Sequence, residues 1–189
     1  MSLTNNFNYL QATGFKLVID RKNYPNLEFF CQDFTHAGVI MNTADLGYKK
    51  ISAIPFIGDK LTYNEMLANI IIDEDMKSYT EMHNWMRRNL DTDNVSALDR
   101  FRQATQKPST VSDITLSILN SSNNAIAQII YRDSIPTALT DIQFQATSGA
   151  ESFLTFGASF RFTYFDIKII NAVTGAITDS FDVTGSVTG

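Results

Sequence analysis

The longest regular pattern in the chain is the run 152–170, SFLTFGASFRFTYFDIKII. Its even positions, Leu154, Phe156, Ala158, Phe160, Phe162 and Tyr164, are apolar, while Thr155, Gly157, Ser159, Arg161 and Thr163 between them are small or polar. Successive side chains on a strand point to opposite faces, so the run predicts one long strand with an aromatic face and a wet face. After Tyr164 the parity reverses, with Phe165, Ile167 and Ile169 apolar and Asp166 and Lys168 polar. Such a reversal requires a bulge, a bend or a passage between two sheets.

Shorter patterns predict further strands. Residues 14–20 put Phe15, Leu17 and Ile19 on one face, and 27–34 reads as the returning strand of a hairpin around Asn23-Tyr24-Pro25-Asn26. From 36 to 58 the pattern loosens around Gly38, Gly47, Pro55 and Gly58, which predicts a long loop or extended arm. Residues 61–72 read as a strand leading through Asp73-Glu74-Asp75 into a helix over 75–90. There Met76, Tyr79, Met82 or His83, and Met86 recur at helical spacing beside Trp85. The acids at its start and Arg87 and Arg88 near its end suit the helix dipole. Residues 91–110 read as a second loop closed by Pro108. Ile114, Leu116 and Ile118 make a strand, the turn 120–124 reverses it, and 125–131 returns as its partner. After Pro136, the alternation of Ile142, Phe144 and Ala146 predicts another strand before the turn Ser148-Gly149. The last residues are poor in large apolar groups and read as an extension or frayed tail. The fold class expected is mainly β with one flanking helix.

Composition narrows the function more by exclusion than by signature. A chain of 189 residues with 44% hydrophobic content can bury one core. The net charge of −5 opposes non-specific adhesion to nucleic acid or anionic membranes, and Asp91, Asp93 and Asp99 dilute the basic stretch from Arg87 to Lys107. A single Cys31 forms no internal disulfide and suits a reducing cytoplasm. No signal peptide is visible at the N-terminus, and no apolar run approaches the ~18 residues of a spanning helix. His36 and His83 have no nucleophile or acid motif around them, and one thiol with two distant imidazoles does not make a zinc site. Asp73-Glu74-Asp75 lacks the glycine and spaced oxygens of a calcium loop and reads as a helix cap. The glycines form no phosphate cradle. These features oppose a conventional enzyme, a cofactor and a metal.

Long strands leave edges, and edges must be covered, closed or paired. Pairing with copies of the same chain gives a ring or filament; the bland alternative is a monomeric β-sandwich. In a carbohydrate- or cell-surface-binding version of that alternative, Trp85, Tyr131 and Tyr164 would be binding aromatics, although core packing explains each of them.

Three passages in order, 58–72 (GDKLTYNEMLANIII), 73–86 (DEDMKSYTEMHNWM) and 135–165, together resemble the tail tube proteins of contractile-tailed bacteriophages, with related type VI secretion and baseplate tube-initiator proteins. The resemblance implies an antiparallel β-sandwich or small barrel over 1–170, with 171–189 as an extension. It also implies hexameric rings whose sheets join into one inner barrel, stacked inside a sheath, attached to a baseplate and traversed by DNA without specific binding. Such a protein is made in the host bacterial cytoplasm and resides in the virion tail, with no membrane anchor, cofactor or catalytic residue. The plain expectation is a repeating inner-tube subunit; the alternative is a single-ring initiator or terminator. Ring-contact candidates are Thr155, Ser159, Arg161, Thr163, Tyr63 and Asn69, and inter-ring candidates are Met41, Asn42, Leu46, Tyr48, Lys49 and Lys50.

Overall fold

The computed structural model describes residues 10, 12–19, 27, 31–48, 52–89, 111–145, 153–170, 177–181 and 187–188. The expected loop 91–110 and the turns 23–26 and 148–149 lie outside them. In chain order the elements are β1 (Phe15–Ile19), β2 (Cys31–Thr35), β3 (Val39–Tyr48), β4 (Ser52–Tyr63), β5 (Met66–Ile71), α1 (Lys77–Asn89), β6 (Ser112–Leu119), β7 (Ala125–Leu139), β8 (Thr155–Arg161), β9 (Tyr164–Ile170), β10 (Ile177–Phe181) and β11 (Val187–Thr188). All pairings are antiparallel. The described residues have the expected fold class, mainly β with one helix.

One sheet runs β1-β6-β7-β9-β10-β11 and a second runs β2-β5-β8-β7, so that β7 belongs to both. Sharing is possible because β7 changes hand halfway. Ile129 and Tyr131 are buried on its odd positions, Ser134 and Pro136 on its even ones, and between them Asp133 adopts a left-handed φ of 53°. The reversal seen in the sequence near Tyr164 is the same corner on the neighbouring chain segment. The expected single strand 152–170 is two strands, β8 and β9, broken at Phe162 and Thr163. The Thr163 amide donates to the Arg132 carbonyl at 3.0 Å, which holds the two corners side by side.

The core lies between these sheets and α1. Met66, Ala68 and Ile70 of β5 stand opposite Phe160, Ala158 and Phe156 of β8, all buried, while Leu17, Ile19, Ile114 and Leu116 come from the other sheet. The even aromatic face of 154–160 is thus core, as its alternation predicts. The helix presents Tyr79 edge-on to Phe156 at 5.3 Å and lays Trp85 6.0 Å from Phe160. Its start is fixed by Asp73, whose carboxylate accepts from the Lys77 and Ser78 amides at 3.1 and 2.9 Å and from the Ser78 hydroxyl at 2.9 Å. Those hydrogen bonds hold its carboxyl below the usual carboxylate range. The capping reading of the acidic triplet therefore holds through Asp73, with Arg87 and Arg88 in the last turn.

Several expectations change. Among the described residues β1 and β2 do not pair with each other: β1 pairs β6, and β2 pairs β5, because each strand finds a longer apolar partner elsewhere in the core. The strand expected over 61–72 is the end of β4, a break at Asn64 and Glu65, and then β5. Residues 141–145 are irregular, and Pro136 lies inside β7 at a register shift, where a missing amide is tolerated. Of the two readings of the tail, an extension or a frayed end, the described residues fit the extension, since β10 pairs with β9 and adds to the sheet. The hairpin expected from 114–131 forms as β6–β7, with the Asn120 side chain accepting from the Ser122 and Asn124 amides in its turn.

Candidate assembly surfaces

The segment 36–58, expected as a loop or arm, is most of a regular hairpin. Strands β3 and β4 pair from Val39↔Tyr63 to Tyr48↔Ser52 and pair with nothing else among the described residues. Pattern reading missed it because strand alternation signals one buried face, and this ribbon has none. Ile40, Leu46, Ile54 and Phe56 are exposed on one side, and Val39, Met41, Ile57 and Leu61 on the other. At 3.3–3.4 Å per residue the ten residues of β3 extend roughly 33 Å. An isolated two-stranded ribbon is marginal in water, and one apolar on both sides calls for a cover on each. Its two halves are joined at a bulge where Gly58 abuts Asn42: a Cβ there would lie 2.2 Å from the Asn42 carbonyl oxygen.

The root of the ribbon is anchored by aromatic rings. Tyr63 packs on Phe162 and Phe165 at 5.4 and 5.5 Å, and Tyr131 packs on Phe162 at 5.0 Å. On the other arm, His36 Nδ1 and the Tyr131 hydroxyl share a 2.6 Å hydrogen bond, and the imidazole stands edge-on to Phe165 at 5.1 Å. Burial holds His36 below its ordinary pKa and raises that of the Tyr131 phenol, so both are neutral near pH 7. The Asn64 amide closes the root by donating to the Gly38 carbonyl at 2.9 Å. Beside it, a cleft of about 200 Å³ is lined by Leu61, Thr62, Tyr63, Asn64, Arg161 and Phe162.

The ring-contact candidates divide. Asn69, Thr155, Ser159 and Arg161 share the outward face of the β5–β8 sheet, since Leu67 pairs with Ser159, Asn69 with Gly157 and Ile71 with Thr155. The Asn69 amide extends this polar face to β2 by donating to both Asp33 carboxylate oxygens at 3.0 and 2.9 Å. Tyr63 is instead half-buried at the ribbon's root, and Thr163 sits in the corner between β8 and β9. Of the inter-ring candidates, Met41, Asn42 and Leu46 are exposed on the ribbon; the Tyr48 side chain, Lys49 and Lys50 lie outside the described residues.

No protein-family model matches the chain. Over 113 residues it is 28% identical to the tail tube terminator protein of Enterobacteria phage T4, a match that spans 59% of this chain and 60% of the length of that relative. In three dimensions it is similar to a chain of the anti-feeding prophage tube-terminating cap, with TM-score 0.58 and 12% identity over 89% of this chain and 99% of that one. It is also similar to a chain of the extended PVC sheath/tube terminator, an extracellular contractile injection system, with TM-score 0.57 and 10% identity over 85% and 97%. The chain therefore has a tube-type fold, the fold it shares with these chains of contractile injection systems.

Within this tube-type fold, the aromatics of the carbohydrate-binding alternative are placed against that reading. Trp85 and Tyr131 are fully buried and Tyr164 is half-buried, so no aromatic platform is offered by them. Among the described residues no three His, Cys, Asp or Glu side chains gather in a metal-binding group, and no helix is long and apolar enough to cross a membrane.

A feature invisible to sequence reading is the charge cluster at the shared corner. Arg132 donates through Nη1 to Asp113 at 2.6 Å and through Nε to Asp166 at 3.2 Å, tying β6, β7 and β9 together. The Asp113 carboxylate also accepts from the Asp133 amide at 3.2 Å and so steadies the left-handed residue.

Proposed function

We propose that this tube-type protein is a tube terminator, a structural ring that ends the inner tube of a contractile tail. The observation that carries the reading is the 113-residue match to the T4 terminator. The likeness to two terminator structures supports it at the level of fold. The expectation of a repeating subunit gives way to the terminator alternative. In this reading six copies close into a ring, the wet face of the β5–β8 sheet with Thr155, Ser159 and Asn69 faces the conduit, and DNA passes without being held. One face of the β3–β4 ribbon, with Leu46 and Phe56, lies on the adjoining ring of the tube, and sheath and baseplate are more distant neighbours. Two physical features support this reading: an exposed two-stranded ribbon is marginal in water and gains stability when other chains cover it, and ring closure removes strand edges such as β1 and β2.

Electron microscopy of the purified protein tests this. Single rings that bind the ends of assembled tubes are expected. Unlimited polymers of the protein alone would return it to the repeating-subunit class, and a strict monomer at high concentration would overturn ring formation altogether.

A further inference from the structure

We infer that the cleft at the ribbon's root receives the ribbon tip of a neighbouring copy, with Arg161 of one copy paired to Asp45 of the next. The inference rests on the ring reading above and specifies its lateral contact. Arg161 is exposed, lines the cleft, and makes no ion pair or side-chain hydrogen bond among the described residues, in a chain with five more acids than bases. An unpaired guanidinium among aromatic walls, with Asn64 beside it, is built to take a carboxylate.

Asp45 is likewise exposed and without an ion pair among the described residues. It stands opposite Pro55 on the face of the ribbon that carries Ile57, itself 82% exposed. Six residues separate Asp45 from Val39, which pairs with the cleft residue Tyr63. At 3.3–3.4 Å per residue Asp45 therefore lies about 20 Å from its own cleft. A paired ribbon interrupted only by the Gly58–Asn42 bulge does not fold back across that span, so the pair closes between copies. Each copy then gives a tip and accepts one, the heterologous geometry from which rings are made. It also resolves the two-faced ribbon: the face with Asp45 and Ile57 is covered by the neighbour in the ring, leaving the face with Leu46 and Phe56 for the next ring.

The test is a charge swap read by light scattering after gel filtration, across a concentration series of the full chain. Arg161→Asp and Asp45→Arg are each expected to raise the concentration needed for assembly by about tenfold or more, since each sets like charges together. The double variant Asp45→Arg/Arg161→Asp is expected to recover to within about threefold of the parent. Both positions are exposed, and unchanged thermal melts confirm that folding is intact. A parent chain that forms rings, with single variants that assemble equally well or a double variant no better than the singles, overturns this contact and leaves the ring. A parent chain that stays monomeric overturns the ring and this contact with it.

Discussion

Replacing Arg132 by Met should cost more than replacing its exposed partner Asp113 by Asn. Asp166 is only 9% exposed, one of its carboxylate oxygens already has no hydrogen-bond partner, and Arg132 supplies the other at 3.2 Å. Taking away one member of a buried pair strands a charge, which costs roughly 3–5 kcal/mol in a fully buried setting. Here the guanidinium side chain is 34% exposed, so water partly replaces it, and a loss of about 2 kcal/mol is the reasoned figure. The other arm is different in kind. Asp113 has a side-chain exposure of 45%, so Asp113→Asn should cost about 1 kcal/mol or less. The double variant Arg132→Met/Asp166→Leu removes the stranded charge and should be more stable than Arg132→Met alone. Urea unfolding at one fixed protein concentration reads all four proteins. With a slope near 2 kcal/mol per molar, the Arg132→Met midpoint should fall by about 1 M. The reasoning fails if Arg132→Met loses no more than Asp113→Asn, or if removing Asp166 as well deepens the loss.

Other perturbations check other parts of the structure. Trp85→Ala empties a fully buried site against Phe160 and should cost about 3–5 kcal/mol, seen as a large drop in melting temperature; a melt near the parent's would show that α1 is not docked. Asp73→Ala should cost about 1 kcal/mol by uncapping α1. Because the folded pKa of Asp73 is depressed, this contribution is present above the ordinary 3.8 and fades as pH falls through the lower folded value. The parent and Asp73→Ala midpoints should therefore converge in acid, and a gap that persists there would contradict the assignment. Gly58→Val places a side chain on the Asn42 carbonyl and should abolish assembly while the core melt stays close to the parent's, because the ribbon packs apart from the core; normal rings would refute the role given to the bulge. Burial, with Asp33 nearby, pushes the Cys31 thiol up to about 12, so a thiol reagent at pH 8 should label native protein far more slowly than urea-unfolded protein.

What the sequence determined by itself was local. Alternation over 154–160 marks a buried aromatic face because a strand's period is two, and Asp73 followed by spaced apolar residues marks a capped helix because capping and amphipathic periodicity are short-range. The Asn-rich turn 120–124 fixes the β6–β7 hairpin for the same reason. Tertiary structure decided the rest. Which strands pair is a long-range choice, so β1 meets β6 and β2 meets β5 against the nearest-neighbour expectation. The corner in β7 hides behind ordinary strand residues, since Asp133 reveals its left-handed backbone only beside Asp113 and Arg132. The β3–β4 ribbon escaped notice because alternation reports one dry and one wet face, whereas this ribbon is exposed and carries apolar residues on both.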